Sequence, residues 1–431
     1  MWSRRAFLRT STGLGAGVLT ARPAAPDAVG RSAEALAAQT PEASAQEEPY
    51  WRAVQDAFAV DRTTVNLNNG AASPSPRVVH EALVRHVEEA NRRPVEYGRV
   101  LAERVETARR ALAAEFGCDP EEMAITRNAT EALHIAQAGV DLRSGDEVVT
   151  TDQDYPRMLW MWDQRARRDG IVVRRLQFPV PTTAADLLRR IEEAVTPRTK
   201  VLHVCHITNV TGQLFPVREL SRMARDRGIL TIVDGAQAAG HIPVNLGELD
   251  CDVYGTSLHK WLMAPLGTGF LYVRRERIER LWPLQATVAG MRGNIRKFED
   301  IGTQPAAARA ALVEALEFHR TIGVERKAAR LRHLTLRWAE ALGAHPRVRL
   351  LSSVEAGQTW GLATVAIDGV NAATLAPTLL ERYGIVVGAA VSQGLPGPVF
   401  PFSGLRVTPQ VCTTLGEIDR FVDALRDVLR T

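Results

Sequence analysis

Lysine is scarce in this 431-residue chain: of 53 basic residues only Lys200, Lys260, Lys297 and Lys327 are lysine. Positive charge is arginine nearly everywhere else, so each lysine asks for a reason. Cysteine is as sparse, with four residues (Cys118, Cys205, Cys251, Cys412) at no ligand spacing. No disulfide framework is expected in a chain this long, and no metal site is assigned. Long apolar runs are missing too; the weakly apolar stretch Gly13–Ala21 is too short to cross a bilayer, so no membrane span is expected in the mature protein. The net charge of +4 falls to +2 once residues 1–45, with five arginines and three acids, are set aside. Such a balance gives no basic footprint for nucleic acid. No internal repeat is present, and the only biased stretch is the Ala/Pro-rich segment from Ala21 to Glu48.

What is present begins with Lys260. It sits in Ser257-Leu258-His259-Lys260-Trp261-Leu262-Met263, a largely apolar run where a buried charge is costly. Arginine cannot shed its proton to become a nucleophilic amine, whereas a desolvated lysine can. A Schiff-base lysine is the sharp reading, and a snorkelling surface lysine the bland one. Upstream, Gly228-Ile229-Leu230-Thr231-Ile232-Val233-Asp234-Gly235 reads as a buried parallel strand that delivers Asp234 at its carboxyl end, where open α/β sheets place their ligand crevice. Strands also read at Ile125-Thr126, Glu147–Thr151, Val201–Ile207 and Phe270–Val273. Helical stretches lie at Leu187–Ala194 and Val217–Arg227. The alternation argues for a mostly parallel sheet with helices on both faces.

Asp234, the Ser-Leu-His-Lys motif 26 residues later, and Gly267-Thr268-Gly269 opening the next strand together resemble the pyridoxal-phosphate enzymes of the class V aminotransferase family. Within it the chain is most similar to the isopenicillin N epimerase-like and cysteine desulfurase-like branches, from about Val65 to Leu425. The resemblance implies the α/β type I fold of pyridoxal-phosphate enzymes, with a mostly parallel large domain and a smaller α+β C-terminal domain. The implied divisions are 1–45 (signal and disordered segment), 46–75 (N-terminal segment), 76–305 (large cofactor-binding domain) and 306–431 (connecting helix, about Ala306–Arg320, and small domain).

The same resemblance implies pyridoxal 5'-phosphate as cofactor. Lys260 would carry it, Asp234 would pair with its pyridine nitrogen, and Gln237 and Asn209 would meet its phenolic oxygen. Ala129, Thr130, Ser257 and His259 would hold the phosphate. Tyr155, in Asp152-Gln153-Asp154-Tyr155-Pro156, stands where a stacking ring belongs; desulfurases carry histidine there. Thr303, in Phe298-Glu299-Asp300-Ile301-Gly302-Thr303, would reach the phosphate of a partner subunit, which implies a homodimer with shared active sites. Arg406 would clamp the carboxylate of an amino-acid substrate, and Asn69, in Asn68-Asn69-Gly70, belongs to a turn facing that substrate. The stretch Gly388–Pro396 lacks the persulfide cysteine of desulfurases. The expected activity is chemistry at Cα, epimerase-like, with transamination or Cβ–S cleavage as the alternatives and a silent exported binding protein as the rival of another class.

At the N-terminus, Ser3-Arg4-Arg5-Ala6-Phe7-Leu8-Arg9 resembles a twin-arginine export signal, with Ala43-Ser44-Ala45 as a cleavage site. The protein is thus expected to be periplasmic or secreted, the alternative being cytoplasmic.

Overall fold

The computed structural model describes residues 26–390 and 402–430; the twin-arginine motif and most of the cysteine-free stretch lie outside them. Strands β1 (Met123–Thr126), β2 (Glu147–Thr151), β3 (Val172–Leu176), β4 (Thr199–Cys205), β5 (Leu230–Asp234), β6 (Val253–Ser257) and β7 (Gly269–Val273) form one sheet. Their spatial order is β1-β7-β6-β5-β4-β2-β3, and only β7 runs antiparallel to its neighbours. Successive strand residues feed two cores. Ala124, Val148, Val201, Ile232 and Val253 face one, and Ile125, Val149, Leu202, Val233 and Tyr254 face the other. Burial on both faces is why these strands read as continuous β-branched runs rather than alternating ones.

A second layer follows the connecting region. Strands β8 (Val348–Leu350), β9 (Ala363–Ile367), β10 (Gly388–Ala390) and β11 (Gly404–Val407) form an antiparallel sheet in the order β10-β11-β9-β8. Its core includes Trp338, Leu342, Val365, Leu405 and Phe421. The N-terminal segment joins this unit, since Val65–Asn66 pairs in parallel with Ile385–Val386.

Two expectations are corrected. The connecting helix is not one piece: it breaks at Ala311 between Ala307–Ala310 and Leu312–Ile322, and a long helix, Val324–Gly343, follows across Gly323 at φ 83°. The Ala/Pro-rich stretch read as disordered contains helices Pro26–Ala35 and Pro41–Ser44. Alanine favours helix, and Val29 and Leu36, seven residues apart, bury one face into a core with Trp51 and Ile322. Ala45 is buried as well, and its carbonyl accepts a 2.8 Å hydrogen bond from Arg330 Nη1. The expected cleavage site thus lies inside the folded unit.

Candidate active site

Every parallel strand of the large sheet ends on the same side, and the turns beyond those ends build one crevice of about 360 Å³. β5 ends at Asp234, whose carboxylate is capped by the Ala236 N–H at 2.8 Å. Burial raises the pKa of this acid, with the Ala236 hydrogen bond and the charge of Lys260 opposing. Beyond β6 the chain delivers Ser257, His259 and Lys260 to the crevice. Burial pulls the Lys260 ammonium down to about 8, Asp234 resists the shift, and Arg406 adds to it. An amine in that range exchanges its proton readily near neutral pH.

The turn after β1 opens helix α1 (Ala129–Gly139), with Asn128 as its cap, accepting from the Glu131 N–H at 2.9 Å. The Ala129 N–H donates to Ser257 Oγ at 2.9 Å, so helix start and strand end meet. Gly269 makes this approach possible: a Cβ there would lie 2.8 Å from the Asn128 Cα. Amide groups at a helix start, a hydroxyl and the His259 imidazole form an anion cradle. Burial lowers the pKa of His259, whose Nδ1 lies 3.2 Å from the Thr268 carbonyl.

The turn beyond β4 brings Asn209, whose Oδ1 is buried with no hydrogen-bond partner among the described residues. Such an orphaned acceptor is costly unless a ligand donor meets it. Opposite, the small unit contributes Arg406 from β11. Its guanidinium donates to Asn68 Oδ1 at 2.8 Å and to the Asn209 carbonyl at 3.0 Å, while its Nε is buried with no partner among the described residues. Tyr155 stands half-exposed at the mouth, and Asp234, Asn209, Ala129, Thr130, Ser257, His259, Lys260, Gln237 and Arg406 line the same space.

Two expected residues behave differently, and a third, Thr303, is expected to act on a partner subunit's site rather than on this one. Gln237 lines the crevice, but its amide already donates to the Gly70 carbonyl at 3.0 Å and accepts from the Trp261 indole at 2.8 Å. Asn69 is spent inside its own turn, donating to the carbonyls of Asn66 and Thr408, and it is Asn68 that meets Arg406. Thr303 is exposed and does not line this crevice.

Residues passed over in the sequence appear as well. Arg157 and Met158, in the first turn of helix α2 (Pro156–Asp169), line the mouth. At the floor, Asp154, Cys205 and Asp234 bring ligand atoms within 4.8 Å of one another. Burial, and then the charge of Asp234, push the Asp154 carboxyl up, and burial pushes the Cys205 thiol well up. Asp154 lies 3.9 Å from His203 Nε2 in a fully buried spot. An isolated Asp two residues before a proline carried no signal that it would fold beneath Asp234.

The family model described as aminotransferase class-V matches residues 65–412. The chain belongs to the class-V aminotransferase family. It is 32% identical over 394 residues to isopenicillin N epimerase from Streptomyces clavuligerus, covering 87% of this chain and 97% of that one. A probable cysteine desulfurase from Synechocystis sp. is 29% identical over 387 residues, 85% of this chain and 91% of the relative. Among solved structures, a cysteine desulfurase from Escherichia coli superposes with a TM-score of 0.76 at 25% identity, covering 88% of this chain and 98% of that one. This class-V chain is accordingly a pyridoxal-phosphate-dependent enzyme. Its crevice fits the cofactor: an anion cradle at one end, a buried carboxylate and an orphaned amide oxygen along the floor, and a half-buried lysine between them.

Proposed function

We propose that this class-V enzyme acts on an amino acid by moving the proton at Cα, in an epimerase-like manner. The observation that carries the reading is the convergence of Lys260, Asp234 and Arg406 on one crevice. When bound, pyridoxal phosphate supplies the electron sink that makes a Cα–H bond acidic. Arg406 orients the substrate by its carboxylate, and its Nε, without a partner among the described residues, is a donor beyond those held by Asn68 and Asn209. Lys260, easily deprotonated where it sits, takes and returns the Cα proton at its Nζ. Asp234 would pair with the cofactor's pyridine nitrogen. Tyr155, at the mouth, would stack on the cofactor ring.

Return of a proton to the opposite face of Cα completes epimerisation; transamination and loss of a β-substituent are the alternatives that begin with the same Cα–H cleavage. The thiols support a route without a protein persulfide. Burial pushes Cys412 up to about 12 and Cys205 well above its ordinary value, so neither is a thiolate near neutral pH. Turnover in deuterated water is expected to place deuterium at Cα of recovered substrate or product, and a chain with all four cysteines replaced by serine or alanine is expected to stay active. A persulfide trapped on any of the four would overturn this reading.

Thr303, exposed in one chain, is suited to reach a partner's phosphate in a homodimer, and Arg4-Arg5 to direct export to the periplasm or beyond. Because Ala45 is buried, signal removal belongs upstream of the helix starting at Pro26. Fractionation checks this: changing Arg4 and Arg5 to lysine is expected to strand the protein in the cytoplasm. An intact N-terminus on cytoplasmic wild-type protein would exclude export.

A further inference from the structure

Behind the crevice lies a lysine that the chemistry above does not use. Lys327 is fully buried, in the first turn of the helix Val324–Gly343, where the helix dipole disfavours a cation. Its ammonium donates to the Trp261 carbonyl and lies 3.2 Å from His319 Nδ1. His319 in turn presents Nε2 to Glu115 at 3.5 Å, and Glu115 also accepts from Arg320 at 2.6 Å. No carboxylate touches Lys327 directly among the described residues. Burial in such a place is expensive, and an apolar side chain of the same length would fill it at lower cost.

What Lys327 holds is the carbonyl of the residue after Lys260. Three consecutive carbonyls of that loop are tied to three separate parts of the chain. The His259 carbonyl accepts from the Ser73 N–H at 2.9 Å. The Lys260 carbonyl accepts from the Met263 N–H at 3.2 Å and from Gln410 Nε2 at 3.4 Å. The Trp261 carbonyl accepts from Lys327. The Trp261 side chain is pinned as well, its indole donating to Gln237 and its ring stacked on His241 at 3.7 Å. The loop needs such anchors, because buried Met263 sits at φ +60°, a left-handed conformation that a side chain this large disfavours.

We infer that Lys327 is a positioning residue for Lys260: with His319 and Glu115 behind it, it fixes the Trp261 peptide and so aims the Lys260 side chain into the crevice. A carbonyl cannot pass a proton onward, so the Glu115–His319–Lys327 row ends in placement rather than in a proton path. Among the described residues its groups face His241 across the Trp261 ring, Arg320 at the solvent end, and Glu248 and Glu325, which line the same cavity as Glu115 and His319. The inference rests on the reading that Lys260 carries the chemistry.

The test is Lys327→Met in the full-length protein, read in three ways. Thermal unfolding is expected to be unchanged or raised, since an apolar side chain replaces a buried charge. In the cofactor-loaded enzyme kcat is expected to fall on the order of 10–100-fold with little change in KM, the scale of a small misplacement of a catalytic group. In cofactor-free chain, amine-specific labelling of Lys260, followed by peptide mass spectrometry against pH, is expected to show a midpoint moved up toward that of an ordinary lysine as the loop gains solvent. Lowered stability with kcat and the labelling midpoint untouched would make Lys327 a purely structural residue and overturn the inference. Should the variant not fold, Glu115→Gln keeps the lysine and removes its distant charge; an unmoved Lys260 midpoint there is equally fatal. Lys260→Ala separates the two claims: if it retains activity the reading of Lys260 fails, whatever Lys327→Met does.

Discussion

Lys260 and Lys327 hold the same tryptophan between them, one as its neighbour in sequence and the other through its carbonyl, in opposite surroundings. Lys260 faces an open crevice with a buried carboxylate across from it; burial lowers its pKa to about 8 while Asp234 partly restores it. Lys327 is sealed in packed protein, meets a carbonyl and an imidazole, and is pulled further down, to about 7, with only distant Glu115 opposing. One side chain is kept poised and reachable, the other immobile. The pair shows how a fold can use one residue type for reactivity and for placement, depending on what lies within hydrogen-bond reach.

The comparison breaks most visibly at Lys260. Lys260→Ala is expected to lower turnover by about 10³-fold or more and to abolish the borohydride-reducible visible absorption, since no other group in the crevice can take both roles. Reducible label shared equally with Lys200, Lys297 or Lys327 would erase the distinction between the lysines. Next in size is the partner of Lys260 across the crevice. Arg406→Ala is expected to weaken kcat/KM for an amino acid by about 2–4 kcal/mol while the absorption spectrum persists. Unchanged kinetics would return Arg406 to the structural arginines.

The smallest effect sharpens the contrast through pH. A lysine whose folded pKa lies below its ordinary 10.5 takes up a proton more readily when unfolded. Stability therefore rises with pH between about 7 and 10.5, and this contribution is lost as pH falls through that window. Lys327→Met should remove at most one proton from the linkage, so the stability slope from pH 7 to 10 is expected to flatten by up to about 1.4 kcal/mol per pH unit. Urea unfolding of variant and wild type at several pH values reads this directly, and parallel slopes would mean that Lys327 is not depressed in the fold.

Much of the site was legible in the sequence because its residues sit at the ends of strands with strong signatures. Asp234 closes a β-branched run, Ser257 and Lys260 follow another, and Asn209 lies in the turn after a third; the parallel sheet then carries those ends to one edge. Gln237 and Asn69 were harder, since a side-chain amide is written the same way whether it faces a ligand or ties down a turn. Asp154, Arg157 and Asn68 carried no local pattern; what makes them part of the crevice is proximity to residues far along the chain, 51 positions away for Asp154 and Cys205 and 338 for Asn68 and Arg406. The Ala/Pro-rich segment misled through its composition, because two apolar residues seven apart are enough to dock a short alanine-rich helix once a core is there to receive it.

The sequence alone determined the strand and helix alternation, the order of the crevice-forming turns and the isolation of Lys260 among arginines, because these depend on local periodicity and on side-chain chemistry. The tertiary structure alone decided that Lys327 is locked behind the crevice, which carboxyl lies beneath Asp234, and which asparagine meets Arg406. Those outcomes depend on desolvation and on hydrogen bonds across long stretches of chain, and neither exists until the sheets have packed.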